Sequence, residues 1–149
     1  AMRVVLDSNI YVSALTLPGG NADVALSAAL EGVYVVLLSE PIMGETLGVL
    51  GRKFSRDKEE LARVALFLGE LAERVSPRKR IGVLADEADN RILECAVEGR
   101  ADLIVTGDRE ILRIGRFEGI EIVSLRAFLT RLQFAPAEMR QFAPRQGKL

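Results

Sequence analysis

The chain of 149 residues is 49% hydrophobic and carries 20 basic against 21 acidic side chains, a formal net charge of -1. That length and apolar share fit one compact domain with a full core, and the balanced charge excludes a global positive field for nucleic acid, so any such binding must be local. Histidine is absent, which removes Ser-His-Asp and Cys-His catalysis, histidine acid–base chemistry and His-containing zinc sites together.

The first element is RVVL (3–6), a short run rich in β-branched residues that reads as a strand, with Asp7-Ser8-Asn9 marking its end. A loop through Pro18-Gly19-Gly20 follows, and Asn21 caps a helix that Gly32 stops. VYVVLLS (33–39) is a second buried strand. Ser39 and Pro41 then open a helix that carries Ile42, Met43, Leu47, Val49 and Leu50 on its apolar face and Glu45 elsewhere on its surface. Residues 56–75 show one long amphipathic helix, with Leu61, Val64, Leu68 and Leu71 on one side and Ser55 as cap, a scaffold element.

The alternation continues in the second half. Asp86 or Glu87 opens a helix with Ile92, Leu93, Cys95, Ala96 and Val97 as apolar positions before Gly99, and DLIVT (102–106) is the next strand, followed at once by Gly107 and Asp108. A short helix REILRI, a strand IEIVSL (120–125) and a last helix through Leu132 complete the pattern. Residues 1–132 thus form the domain, and 133–149, with two Phe-Ala-Pro units that oppose one regular helix, read as a loose or partner-docking tail. The single cysteine, Cys95, sits in an apolar helical pattern and reads as a buried thiol, which suits a reducing interior. No apolar run reaches the roughly 18 residues of a membrane span, and MRVVLDSN lacks a signal-peptide layout, so a soluble cytoplasmic protein is expected.

Nearly continuous apolar strands separated by helices indicate an α/β fold whose parallel sheet is covered on both faces. In such sheets ligands bind in the crevice outside the carboxyl ends of the strands, where strand order reverses. Asp7 and Asp108 both follow strands directly, and Glu45 and Asp89 lie on helices able to reach the same crevice. Each has a plainer reading: Asp7 and Asp108 as turn formers or caps, Asp89 as a dipole partner of its helix, Glu45 as a solvated helical residue. Glu40 and Glu94 compete for the roles of Glu45 and Asp89. A cluster of four carboxylates persists best when a cation neutralises it, and oxygen donors alone suit Mg2+ or Mn2+.

VVLDSNIYVSAL, SEPIMGETLGVL, ADEADNRILECAVEGRADLIVTGDREIL and IEIVSLRAFL together resemble the PIN-domain nucleases, in the branch of VapC-like ribonucleases, the toxin components of type II toxin–antitoxin systems. The resemblance covers about residues 2–132. It implies a three-layer α/β/α fold with about five parallel strands in the order 3-2-1-4-5. It further implies a ribonuclease site that uses one or two Mg2+ or Mn2+ ions, with Asp7, Glu45, Asp89 and Asp108 as catalytic and metal-ligating acids. Asn9 and Thr106 match supporting polar positions. An RNA substrate, a cognate antitoxin and a homodimer are the implied partners, with the faces of the Glu45 helix and the long helix after it as candidate surfaces. Arg109, beside Asp108, is the best placed phosphate contact; Arg52, Lys53, Arg56 and the run Arg78-Lys79-Arg80 are further basic candidates.

Other classes fit less well. A receiver domain needs an acidic pair after the first strand and a lysine after the last, where this chain has DSN and LRA. A haloacid-dehalogenase-like phosphatase needs a second aspartate where Asn9 stands. A catalytically silent PIN-like interaction module, or a PIN nuclease of RNA processing rather than a toxin, keeps the same acids and the same fold.

Overall fold

The computed structural model describes residues 1–133; Gln133, the first residue of the expected tail, closes the last helix, and the rest of the tail, with the Phe-Ala-Pro units, lies outside the described residues. Five parallel strands form the sheet: β1 (Arg3–Leu6), β2 (Val35–Ser39), β3 (Glu73–Val75), β4 (Leu103–Val105) and β6 (Ile120–Val123). A two-residue strand, β5 (Arg116–Phe117), pairs antiparallel with β6, so the order across the sheet is β3-β2-β1-β4-β6-β5. The parallel part has the expected spatial order, with β5 added at one edge. Around it lie α1 (Ser8–Thr16), α2 (Asn21–Leu30), α3 (Glu40–Lys53), α4 (Lys58–Leu71), α5 (Glu87–Glu98), α6 (Arg109–Ile114) and α7 (Leu125–Gln133). None of the described helices is long and apolar enough to cross a membrane.

The central strands are buried on both sides, as a parallel sheet between helices requires: Val4, Val5 and Leu6 of β1, Leu37 and Leu38 of β2, and Ile104 and Val105 of β4 are all fully enclosed. One core cluster continues from them into α1, α2, α5 and α7. Tyr34 and Phe128 meet edge to face at 5.0 Å, tying α7 to the approach of β2, and the Tyr34 hydroxyl donates to the Ala25 carbonyl at 2.7 Å. Cys95 is buried as expected, and burial pushes its thiol up to about 12, which makes it unreactive at neutral pH.

Three features depart from the pattern read from the sequence. Residues 8–16 are a helix, not the start of a loop; its β-branched and aromatic residues have modest helix propensity, but Ile10, Tyr11, Val12 and Ala14 are buried, so packing overrides propensity. The long helix ends at Leu71, and Glu73–Val75 is instead an edge strand on β2. Only Val75 of that strand is buried; its first two side chains form ion pairs, Glu73 with Arg3 at 2.6 Å and Arg74 with Glu40, so no apolar run marked it. β5 and β6 are joined through Glu118 and Gly119, both at positive φ (48° and 82°), the geometry of a tight hairpin turn.

The cap of α4 also differs. Asp57, not Ser55, accepts from the Glu60 amide at 2.9 Å while the Glu60 carboxylate accepts from the Asp57 amide at 3.1 Å, a reciprocal capping box. Ser55 stands at φ 55°, outside the helix. Asp57→Ala is expected to lower stability in urea denaturation by about 1 kcal/mol, whereas Ser55→Gly, which relieves a left-handed residue, is expected to be neutral or slightly stabilising. The reverse ranking would contradict this helix start.

Candidate functional site

β1 is the strand from which the chain leaves in both directions: β2 and β3 lie to one side, β4 and β6 to the other. The crevice beyond the carboxyl ends of β1 and β4 is therefore the switch point at which open parallel sheets bind ligands. Leu6 is in register with Val105, and the Asp7 amide donates to the Val105 carbonyl at 3.0 Å. The residues that follow the two strands are thereby placed side by side.

Asp7 is buried, 4% exposed. It caps α1 through Oδ1, which accepts from the Asn9 amide at 3.5 Å, and its Oδ2 accepts from the Thr106 hydroxyl at 2.6 Å. Thr106 is fully enclosed and also accepts, through the same oxygen, from the Asp108 amide at 3.0 Å. One threonine hydroxyl thus fixes both aspartates, the first through its carboxylate and the second through its backbone. Asp108 caps α6, with Oδ1 accepting from the Glu110 and Ile111 amides at 2.8 and 3.2 Å. The plain reading of both residues as caps is correct and compatible with a site role, because a carboxylate has about four lone-pair sites and capping uses only part of them.

Asp89 lies in the first turn of α5, after the cap Asp86. The next residue, Asn90, is fully enclosed and grips the incoming loop, accepting from the Leu84 amide and donating to the Leu84 carbonyl, both at 2.9 Å. Glu94, one turn on, is buried, accepts from the Ile81 amide at 2.8 Å and lies 2.9 Å from Arg91 Nε. These contacts hold the start of α5, and so Asp89, in place. They also remove Glu94 as a competitor, as the pair with Arg74 removes Glu40.

Glu45 is on the exposed side of α3, and its Oε1 lies 3.1 Å from the Ser8 hydroxyl, which is also 3.3 Å from Asp7 Oδ1. The four acids share one field. The Asp89 carboxyl is pushed up to about 7, first by burial and then by the negative charges of Asp108, Asp86, Asp7 and Glu45. Sequence reasoning missed Ser8, whose only signal was a hydroxyl directly after a strand-end aspartate. It named Asn9 for support; the Asn9 side chain is exposed, and its contribution here is its backbone amide.

Oxygen-only donors, one of them a carboxyl raised by burial and by its acidic neighbours, fit a hard divalent cation. Among the described residues, no three His, Cys, Asp or Glu side chains are gathered into a ready-made coordination shell.

Of the basic candidates, Arg109 opens α6 beside Asp108 and is exposed. Arg52 and Lys53 are exposed in the last turn of α3, two turns from Glu45. Arg56 turns inward instead, donating to the Leu15 carbonyl at 3.2 Å at the end of α1. Arg78 pairs with Glu98 at the far end of α5, about 14 Å along the helix from Asp89.

A family model described as PIN domain matches residues 3–110. An uncharacterized protein of Methanocaldococcus jannaschii is 26% identical over 117 residues, covering 76% of this chain and 75% of its own. Among solved structures, VapBC2 from Rickettsia felis, bound to a promoter DNA fragment, has a chain similar at TM-score 0.58 and 16% identity, over 83% of this chain and 98% of that one. VapBC-1 from nontypeable Haemophilus influenzae gives 0.59 and 18%, over 84% and 99%. The PIN domain endonuclease Utp24 gives 0.51 and 23%, over 82% and 84%.

The raised Asp89 carboxyl makes folding pH-dependent. An unfolded aspartate ionises near 3.8 and this one near 7, so the folded chain holds an extra proton between those values. The associated stability is complete below the lower value and is lost as pH rises through the upper. In chelator, melting temperature is expected to fall through Asp89 between about pH 4 and pH 7, and Asp89→Asn to flatten that fall and melt higher at the alkaline end. A variant no more stable than the parent there would contradict the crowding of these charges.

Proposed function

The chain belongs to the PIN-domain family, and from that premise we propose that it is a Mg2+- or Mn2+-dependent ribonuclease, the toxin component of a type II toxin–antitoxin pair. The observation that carries this reading is the meeting of Asp7, Asp108, Asp89 and Glu45 in one field at the β1–β4 crevice. One or two bound cations would supply an activated water and neutralise charge building on an RNA phosphate. The remaining work falls to side chains of the protein. Asp7 and Asp108, anchored by helix caps and by Thr106, present oxygens at fixed positions; Asp89 and Glu45 would add their negative charge from α5 and α3. No histidine is needed.

Arg109, with Arg52 and Lys53 farther out, would hold flanking phosphates, giving an attraction that weakens with salt and tolerates sequence. Exposed Leu66, 64% accessible on α4, and Phe54, 43% accessible beyond α3, support contact with a second copy in this region. The likeness in fold to chains from two VapBC assemblies supports an antitoxin as a further partner, and the acid-rich crevice is the part of the molecule whose charge a basic antitoxin segment would meet.

Purified protein is expected to cleave RNA with Mg2+ or Mn2+ and to stop in chelator. Asp7→Asn and Asp108→Asn keep good helix-capping side chains, so both are expected to retain the parent melting temperature while losing about a hundred-fold or more in cleavage, at least the upper range for groups that only support metal ligands. Full activity in both variants, or cleavage indifferent to chelator, would reject the assignment.

A further inference from the structure

Glu45 poses a question that family and fold leave open. An exposed glutamate on a helix surface is ordinarily free to swing through its rotamers, yet this one stands with the acids of the crevice. The only hydrogen bond to its carboxylate among the described residues comes from Ser8, at 3.1 Å. Ser8 is buried, 3% exposed, at the first position of α1, and the same hydroxyl lies 3.3 Å from Asp7 Oδ1.

A serine hydroxyl has one proton to donate. Asp7 already receives the Thr106 hydroxyl at 2.6 Å and the Asn9 amide at 3.5 Å, whereas Glu45 has no second donor among the described residues. The Ser8–Glu45 distance is also the shorter of the two. The proton therefore belongs chiefly to Glu45.

We propose that Ser8 is a positioning residue for the cation site, its buried hydroxyl tethering the Glu45 carboxylate of α3 to the Asp7 end of β1. The tether links two segments 37 residues apart and is the contact that converts a solvated helical glutamate into a member of the crevice. The proposal rests on the reading of the four acids as a divalent-cation site, but not on RNA being the substrate.

The test is a double-mutant cycle read as Mn2+ affinity, by calorimetry or electron paramagnetic resonance, on the full chain. Ser8→Ala is expected to weaken Mn2+ binding by about ten- to a hundred-fold, the range for groups that orient metal ligands, with melting temperature nearly unchanged in chelator. In a Glu45→Ala background the same change is expected to have little further effect, because the tethered group is gone. If Ser8→Ala does not fold, Ser8→Cys, of similar size and with a weak donor, gives the same comparison. Equal weakening with and without Glu45, or no weakening at all, would overturn the tether. Absence of Mn2+ binding by the parent chain would overturn both the tether and the cation site. Binding with an intact cycle but no RNA cleavage would uphold the tether while rejecting the proposed substrate.

Discussion

Parallel pairing of β1 with β4 is the constraint from which the site follows. Two strands 99 residues apart lie in register, so the residues that leave their carboxyl ends are neighbours, and both of those turns present an aspartate. Thr106 closes the arrangement. Its hydroxyl hydrogen goes to Asp7 and its oxygen receives the Asp108 amide, so a single buried side chain sets the separation of the two acids. Its burial matters because a hydrogen bond to a carboxylate is stronger and less exchangeable where water is excluded.

Holding negative groups together costs free energy, and the fold offsets part of that cost locally. Asp7 and Asp108 each stand at a helix N-terminus, where backbone amides and the helix dipole favour negative charge. Asp89 is in the first turn of α5 and has the same benefit, but its carboxylate accepts no hydrogen bond from the described residues and is the raised carboxyl of the cluster. Glu45, on the middle turns of α3, caps no helix and relies on Ser8. The four acids therefore differ in how they are stabilised, and the charge that is least compensated is the one a cation most readily takes up.

The parts of this design written in local chemistry were legible in the sequence. Apolar runs identified β1, β2, β4 and β6, and acids directly following β1 and β4 pointed to the crevice before any coordinates. What was hidden was decided by tertiary contact. α1 is a helix because its apolar residues are packed on several sides, although its composition suits a strand as well. β3 has ion-paired side chains on its exposed positions and continues the register of β2, information that lies in Leu37 and Leu38 rather than in its own residues. Ser8 was invisible for the same reason: its importance comes from Glu45, on another element. Asn90 and Glu94 illustrate the converse, polar residues within a recognisable motif whose observed contacts brace the loop ahead of α5.

The central claim is that these acids form one cation site at the β1–β4 crevice. A crystal soaked in Mn2+ tests it most directly through the anomalous signal of the metal. The account predicts a peak within coordination distance of Asp7 or Asp108 oxygens, with Asp89 and Glu45 reached directly or through water; a crevice without a peak while Mn2+ binds elsewhere on the molecule would contradict it.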